Sequence, residues 1–284
     1  MTIKKLAISL LVGGLFVING CGGGGGSLAD KPTASDMQKL DDSNADKSAM
    51  GSLKSLNSSS SLNNNGVPGA SLRVKNRLTK LTRLSTNKAL RDASNICDSG
   101  SAKTKNSSDT EGTLTYNQCS IDGTVYNGTI SVKVTLDSYG QAKDLTATFD
   151  NFTSHNSTGD YNIQHAELYS SRDTNKASIS KMYATFTENG ATEKYLNFNI
   201  STNGNGSNSM LTFKGYVKPK CLDGFVYIES LPSITKDNGK FKIESNSKRV
   251  TIEYDTNTVK ITKPSGAVET MTRDEFNSKL NAGC

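Results

Sequence analysis

The chain has 284 residues, a net charge of +6 at neutral pH, and only 34% hydrophobic residues with no tryptophan. This composition indicates a polar, low-complexity segment joined to a turn-rich β domain. The charge is too small to require a nucleic-acid partner, so we expect none.

Residues 1–20 have the form of a secretory signal peptide. A pair of lysines precedes the apolar run Leu6–Ile18, which is too short for a permanent transmembrane helix but suits an export signal. The following Ile18-Asn19-Gly20-Cys21 resembles the lipobox of bacterial lipoproteins. The resemblance implies cleavage before Cys21 and lipidation of its thiol, and several acyl chains would then anchor the protein stably to a membrane.

Five glycines, Gly22–Gly26, follow Cys21 directly. A polyglycine tract in this position resembles surface-displayed lipoproteins of Gram-negative bacteria, such as the transferrin-binding and factor-H-binding proteins. Residue 22 is not the aspartate that retains enterobacterial lipoproteins at the inner membrane, so the resemblance implies the bacterial outer membrane. Whether the protein faces the periplasm or the cell surface stays open. The glycines are interpreted as a linker, because no Gly-Lys-Ser/Thr follows them.

Residues 21–70 are predicted to form a disordered tether, since their Gly, Ser and Asn runs show no apolar periodicity. Such a segment buries too little apolar surface to offset its ordering entropy. Within it, Asp42-x-Asn44-x-Asp46 matches the start of a calcium loop. It lacks the later glycine and glutamate of that loop, so we expect no metal there.

Residues 71–96 are predicted to form a basic amphipathic helix. Apolar residues fall near one face of Leu72–Ile96: Val74, Leu78, Leu81, Ala89, Ala93 and Ile96. Two interpretations are open. The cations could lie on anionic lipid or lipopolysaccharide phosphates, or the apolar stripe could cap the β domain with the cations in water. The capping interpretation is favoured.

Residues 97–284 are predicted to be mainly β, because their apolar residues alternate with period two between short turn signals. The predicted strands include Ile130–Leu136, Leu145–Phe149, Tyr161–Tyr169, Ile179–Thr187, Tyr195–Ile200, Leu211–Val217, Phe225–Ile228, Phe241–Ile243, Val250–Tyr254 and Val259–Ile261. Short connections favour an antiparallel meander, arranged as a sandwich or barrel. Phe152 is expected to lie beyond a bulge. The capping box Thr272–Glu275 predicts a short C-terminal helix, Arg273–Leu280.

Besides Cys21, the chain contains four cysteines: Cys97, Cys119, Cys221 and Cys284. An even number in an exported protein indicates two disulfides. Of the three pairings, Cys97–Cys119 with Cys221–Cys284 is favoured. The order Cys, Asp-Gly, Val-Tyr begins at both Cys119 and Cys221, which suggests two sub-modules, 97–217 and 218–284.

The sequence contains no recognisable catalytic or cofactor-binding motif. His155 and His165 could meet across a hairpin but lack a marked third partner. Glu167 and Glu193 could form a glycosidase pair, although nothing in their spacing supports it. We therefore predict no enzyme activity, no catalytic residue, no cofactor and no metal ligand.

Six tyrosines on the predicted strands could pack in the core or form a carbohydrate- or protein-binding face: Tyr116, Tyr126, Tyr161, Tyr169, Tyr183 and Tyr195. Core packing is favoured. The leading functional hypothesis is a non-enzymatic outer-membrane lipoprotein whose β module binds a protein or glycan ligand or has a structural role. The alternatives are a periplasm-facing envelope assembly or lipid-handling factor and, third, an envelope hydrolase.

Overall fold

The computed structural model describes residues 29–56 and 97–282, apart from residues 109, 122, 158, 205–209 and 236. Across these residues the protein is mainly β, and its strands follow one another in chain order in an antiparallel meander sheet that is not closed. The strands are β1 (Ser99–Ser108), β2 (Glu111–Ile121), β3 (Thr124–Leu136), β4 (Ala142–Asn156), β5 (Gly159–Ser171), β6 (Lys176–Glu188), β7 (Ala191–Asn203), β8 (Met210–Lys218), β9 (Val226–Ser230), β10 (Gly239–Ser245), β11 (Lys248–Tyr254), β12 (Thr258–Thr262) and β13 (Val268–Thr272).

Two α-helices accompany the strands: α1 (Ala45–Leu56) and α2 (Arg273–Ala282). The predicted mainly-β meander with an N-terminal and a short C-terminal helix is confirmed. The helix predicted at 71–96 lies outside the described residues. Neither described helix has the length and apolar character needed to cross a bilayer.

The described chain divides into two units. The first unit comprises residues 97–192, with β1 to β6 and the start of β7. The second unit comprises residues 29–56 and 193–282, with the rest of β7, β8 to β13 and both helices. The sub-modules 97–217 and 218–284 stay a prediction.

In the first unit, a bulge between β3 and β4 changes which residues of β4 face the core. Asn151 has a φ of +47°, and the β3–β4 register shifts beside Gly128. A Cβ on Gly128 would lie 2.2 Å from the backbone oxygen of Asn151, so the close approach requires glycine. Phe149 and Phe152 are both buried as a result, although they are three residues apart. The bulge predicted before Phe152 is confirmed.

The core of the first unit contains an aromatic cluster. The rings of Tyr116, Tyr126 and Phe152 have centroids 5.8 to 6.3 Å apart, and Phe149 stacks edge-on against Phe152 at 5.5 Å. Such pairs each add about 0.5 to 1.5 kcal/mol beyond the burial of their area. The cluster fixes the packing of β2, β3 and β4 around the bulge.

The predicted disulfide between Cys97 and Cys119 is present and confirmed. It joins the residues just before β1 to β2 over a sequence separation of 22, a loop whose closure in the unfolded chain gives about 3 kcal/mol of stabilisation. Cys221 is also disulfide-bonded. Cys284 lies outside the described residues, so its pairing with Cys221 stays a prediction.

The predicted disorder of residues 21–70 is wrong for residues 29–56. Nine of the twelve residues of α1 are buried, and α1 contacts β8, β9, β10, β11 and α2 within the second unit. Most of its buried face consists of Ala and Ser, which carry little apolar signal in a sequence but let a helix approach a sheet closely. The hydroxyl of Ser52 is satisfied by donating to the Ser48 carbonyl at 2.7 Å. Tyr195 donates to the carbonyl of Ser55, near the helix end, at 2.8 Å.

We call residues 29–44, which precede α1, the strap. The Gln38 amide donates to the Phe225 carbonyl just before β9 at 2.8 Å. Asp42 accepts a hydrogen bond at 3.0 Å from the amide of Ser265 in the turn between β12 and β13. These bonds join the strap to connections of the sheet that are distant in sequence. The strap is therefore part of the second unit.

Candidate functional site

The two histidines do not come together. Along the β4–β5 ladder, His165 faces Asp150 and His155 faces Asp160. The Nδ1 atom of His165 lies 2.7 Å from Asp150 Oδ1, and that of His155 lies 3.3 Å from Asp160 Oδ1. Each histidine is therefore paired with a carboxylate across the strands. This arrangement supplies no nucleophile.

The two carboxylates considered as a glycosidase pair belong to different units. Glu167 accepts hydrogen bonds from Lys181 Nζ at 2.8 Å and from Ser180 at 3.3 Å. The Lys181 ammonium, above all, lowers the pKa of Glu167. A glycosidase acid needs a raised pKa, so this environment has the wrong sign for that role. Glu193 is buried in β7, at 2% exposure.

The segment that resembles the start of a calcium loop forms part of the join between strap and α1. Asp42 is hydrogen-bonded to Ser265, and the side-chain amide of Asn44 donates to the Lys39 carbonyl at 2.6 Å. Asp46 lies 3.7 Å from Lys263 Nζ. Within residues 29–56 and the described part of 97–282, no group of His, Cys, Asp and Glu is arranged to hold a metal ion.

The core interpretation of the strand tyrosines is confirmed for four of the six. Those four are at most 6% exposed: Tyr116, Tyr126, Tyr183 and Tyr195. Burial raises the pKa of Tyr116 well above its ordinary range. The other two are half-buried: Tyr161 packs edge-to-face against Phe186, and the Tyr169 hydroxyl donates to Asp144. None of the six lines the cavity described next.

The second unit contains a cavity of about 1010 Å³ that we call the groove. Its walls come from β7 to β11, from the turn between β10 and β11, from the strap, and from Pro264 in the connection between β12 and β13. The lining is dominated by polar side chains, with two tyrosines among them. Concave sites with a few aromatic and convergent polar groups are typical of ligand binding.

Tyr216 and Tyr227 form the aromatic part of the groove. They face each other across β8 and β9, with ring centroids 5.2 Å apart and an interplanar angle of 63°. Lys242 Nζ lies 5.6 Å from the centroid of the Tyr227 ring. That lysine is held by Glu229 at 2.9 Å and Glu244 at 3.1 Å. The neighbouring ion pairs therefore hold Lys242 over the Tyr227 ring.

A second bulge brings two amide side chains to the groove. Asn197 has a φ of +46°, and the β7–β8 register shifts between Leu196 and Asn199. The Asn199 side chain donates to the Asn197 carbonyl at 3.0 Å. Opposite them, a Cβ on Gly215 would lie 2.7 Å from the Asn197 oxygen. The absence of a side chain at Gly215 is what lets the two strands approach here.

Cations outnumber anions among the groove residues. Arg249 Nε donates to Glu244 Oε1 at 2.7 Å. Burial alone would raise the pKa of Glu244, but hydrogen bonds from Lys242 and Arg249 hold that pKa below its ordinary value. Glu244 is therefore an ionised structural partner and does not fit a general acid. The rings, amides and cations of the groove are suited to binding a polar ligand.

Sequence reasoning did not identify Tyr216 and Tyr227 as site residues. Each lies between two buried residues of its strand, so the alternation places it on the opposite, outer face. That outward position could have identified them, because aromatic residues on the outer face of two neighbouring strands tend to form a cross-strand pair. The contribution of the strap to the groove had no comparable signal.

Comparisons of the chain with protein-family models, with curated proteins and with solved structures gave no match. The function of the groove must therefore be inferred from its own side chains.

Proposed function

We propose that this protein is a lipoprotein of the bacterial outer membrane, anchored through Cys21, whose second unit binds a hydroxyl-rich ligand such as a glycan without catalysing a reaction. The lipobox-like Ile18-Asn19-Gly20-Cys21 supports the anchor. The observation that carries the binding function is the tyrosine pair Tyr216–Tyr227 in a groove that Asn197 and Asn199 also line.

The chemistry of the groove favours a glycan over the other ligand classes. Aromatic rings offer apolar faces to the C–H faces of sugars, and amides donate to and accept from hydroxyl groups. Asn197 and Asn199 line the same groove as Tyr216 and supply such amides. A lipid carrier would need a predominantly apolar cavity, and the groove has a polar lining. The lowered pKa of Glu244 makes it unsuited to be the general acid of glycoside cleavage.

Binding is tested with the non-lipidated chain, residues 22–284, on a glycan array followed by titration calorimetry with the best ligand. Replacing Tyr216 and Tyr227 together with alanine should weaken binding at least tenfold, equivalent to about 1.4 kcal/mol. The control is Tyr139→Ala, which removes an 86% exposed tyrosine of the first unit. Unchanged affinity in the double variant, or no glycan bound by the parent chain, would contradict the binding function.

The anchor is tested separately by metabolic labelling with a fatty acid. Cys21→Ala should abolish the label, because the acceptor thiol is absent. Persistent labelling of that variant would show that the lipid is attached elsewhere or that the resemblance to a lipobox is misleading.

A further inference from the structure

The groove is close in sequence to the proposed lipid anchor. Asp30 and Lys31, near the start of the strap, line the groove. Lys31 follows Cys21 by ten residues, and a fully extended chain spans at most about 3.6 Å per residue. The Cα atom of Lys31 therefore lies within about 36 Å of the Cα atom of Cys21. This bound holds for any conformation of the intervening residues.

This limit on the distance between Lys31 and Cys21 is informative because the strap is bonded to the second unit. If residues 21–70 all formed a tether, nothing would keep the β module near the anchor. Instead, hydrogen bonds to Phe225 and Ser265 join the strap to the second unit. The groove wall that contains Lys31 is consequently held near whatever surface Cys21 is attached to.

Three lysines of the groove have their charges available. Lys31, Lys214 and Lys248 are exposed and form no ion pair among the described residues. They come from the strap, β8 and the start of β11, so distant parts of the chain place them around one cavity. Arg249 adds a fourth cation, although its charge is shared with Glu244. Unpaired lysines near a membrane are attracted to anionic lipids.

We propose that the groove side of the second unit docks on the anionic lipid surface of the membrane that carries Cys21, with Lys31, Lys214 and Lys248 contacting lipid phosphates. The proposal rests on the lipid anchor described under the proposed function. It adds that the anchor and the basic groove act together, since both engage the same surface. A ligand bound in the groove would then be held beside the membrane surface.

The expected strength follows from the number of lysines. One lysine near an anionic membrane surface contributes roughly a fivefold increase in partitioning, so three contribute on the order of 100-fold. The attraction should weaken strongly as salt is raised, because exposed charges are screened over about 10 Å at 0.1 M salt. Contacts dominated by apolar insertion would lack this dependence.

The experiment measures co-sedimentation of the non-lipidated chain, residues 22–284, with vesicles. One set contains equal phosphatidylglycerol and phosphatidylcholine, and the other contains phosphatidylcholine alone. The parent chain should bind only the anionic vesicles at low salt. The triple variant Lys31→Gln, Lys214→Gln and Lys248→Gln should bind them on the order of 100-fold less.

A matched control separates the groove from net charge. Lys103→Gln, Lys105→Gln and Lys176→Gln together change the charge by the same amount at exposed positions of the first unit. Retained binding in this control and loss in the groove variant support the proposal. Equal loss in both, retained binding in both, or failure of the parent chain to prefer anionic vesicles overturns it.

This outcome is independent of the two tests of the proposed function. The vesicles contain no glycan and the chain contains no lipid. A failure to bind anionic vesicles therefore leaves the results of the glycan titration and the Cys21 labelling unaffected. Circular dichroism of each variant checks that the exchanged, exposed lysines leave the fold intact.

Discussion

Replacing Leu53 or Leu56 with alanine should destabilise the second unit by about 3 kcal/mol. Both side chains lie on α1, and they are 5% and 2% exposed. Leucine to alanine removes hydrocarbon equivalent to about three methylenes at ~0.8 kcal/mol each, or ~2.4 kcal/mol. The cavity left behind adds to this loss, and measured costs at such sites span about 2 to 5 kcal/mol.

The assay is urea unfolding followed by far-ultraviolet circular dichroism. With a urea dependence of about 1 to 3 kcal/mol per molar, the transition midpoint should fall by roughly 1 to 3 M. Lys47→Ala is the matched control, because Lys47 is the one exposed residue of the same helix. The free energy of unfolding of the Lys47 variant should stay within about 0.5 kcal/mol of the parent value. If the leucine variants unfold at the same urea concentration as the Lys47 variant, α1 is not packed on the sheet and the reasoning fails.

Two further predictions concern the bulge and the groove. Gly128→Ala should lower the free energy of unfolding by more than Gly140→Ala does. Both glycines have positive φ, but only a Cβ on Gly128 would strike the backbone within 4 Å, at the Asn151 oxygen. Equal thermal midpoints of the two variants would contradict this. The pKa of Glu244 is lowered from 4.5 in the folded state. The ionised Glu244 therefore stabilises the fold fully above pH 4.5, and this stabilisation is lost as the pH falls through the folded pKa. Lys242→Gln removes one cause of the lowering and should reduce the loss of stability between about pH 5 and pH 3, measured by urea titration. If the stability of the variant fell as steeply with pH as that of the parent chain, the proposed effect of Lys242 on Glu244 would be contradicted.

Much of the β structure could be predicted from local pattern. Alternation indicates strands wherever one face of a strand is buried, as it does for the apolar residues of β3 and β11. The capping box was also readable: the Thr272 amide donates to Glu275 at 2.7 Å, and the Glu275 amide donates back to Thr272 at 3.2 Å. β1 was missed, because its Gly, Ser, Lys and Asn residues carry no apolar alternation.

The positions of potential site residues could not be predicted, because they depend on strand register. His155 and His165 are ten residues apart in a hairpin, and a different register could have placed them together. In the structure each lies opposite an aspartate. Likewise, Tyr216 and Tyr227 meet only because β8 and β9 pair at those two residues.

The sequence by itself determined the period-two strands, the bulge before Phe152, the favoured Cys97–Cys119 pairing and the C-terminal helix, because each depends on neighbours close in the chain. Tertiary structure decided the rest. It made residues 29–56 a strap and a buried helix, since small residues such as Ala49 are stabilised only by a sheet formed more than 140 residues later. It also assembled the groove from the strap and five strands, which no local pattern could join.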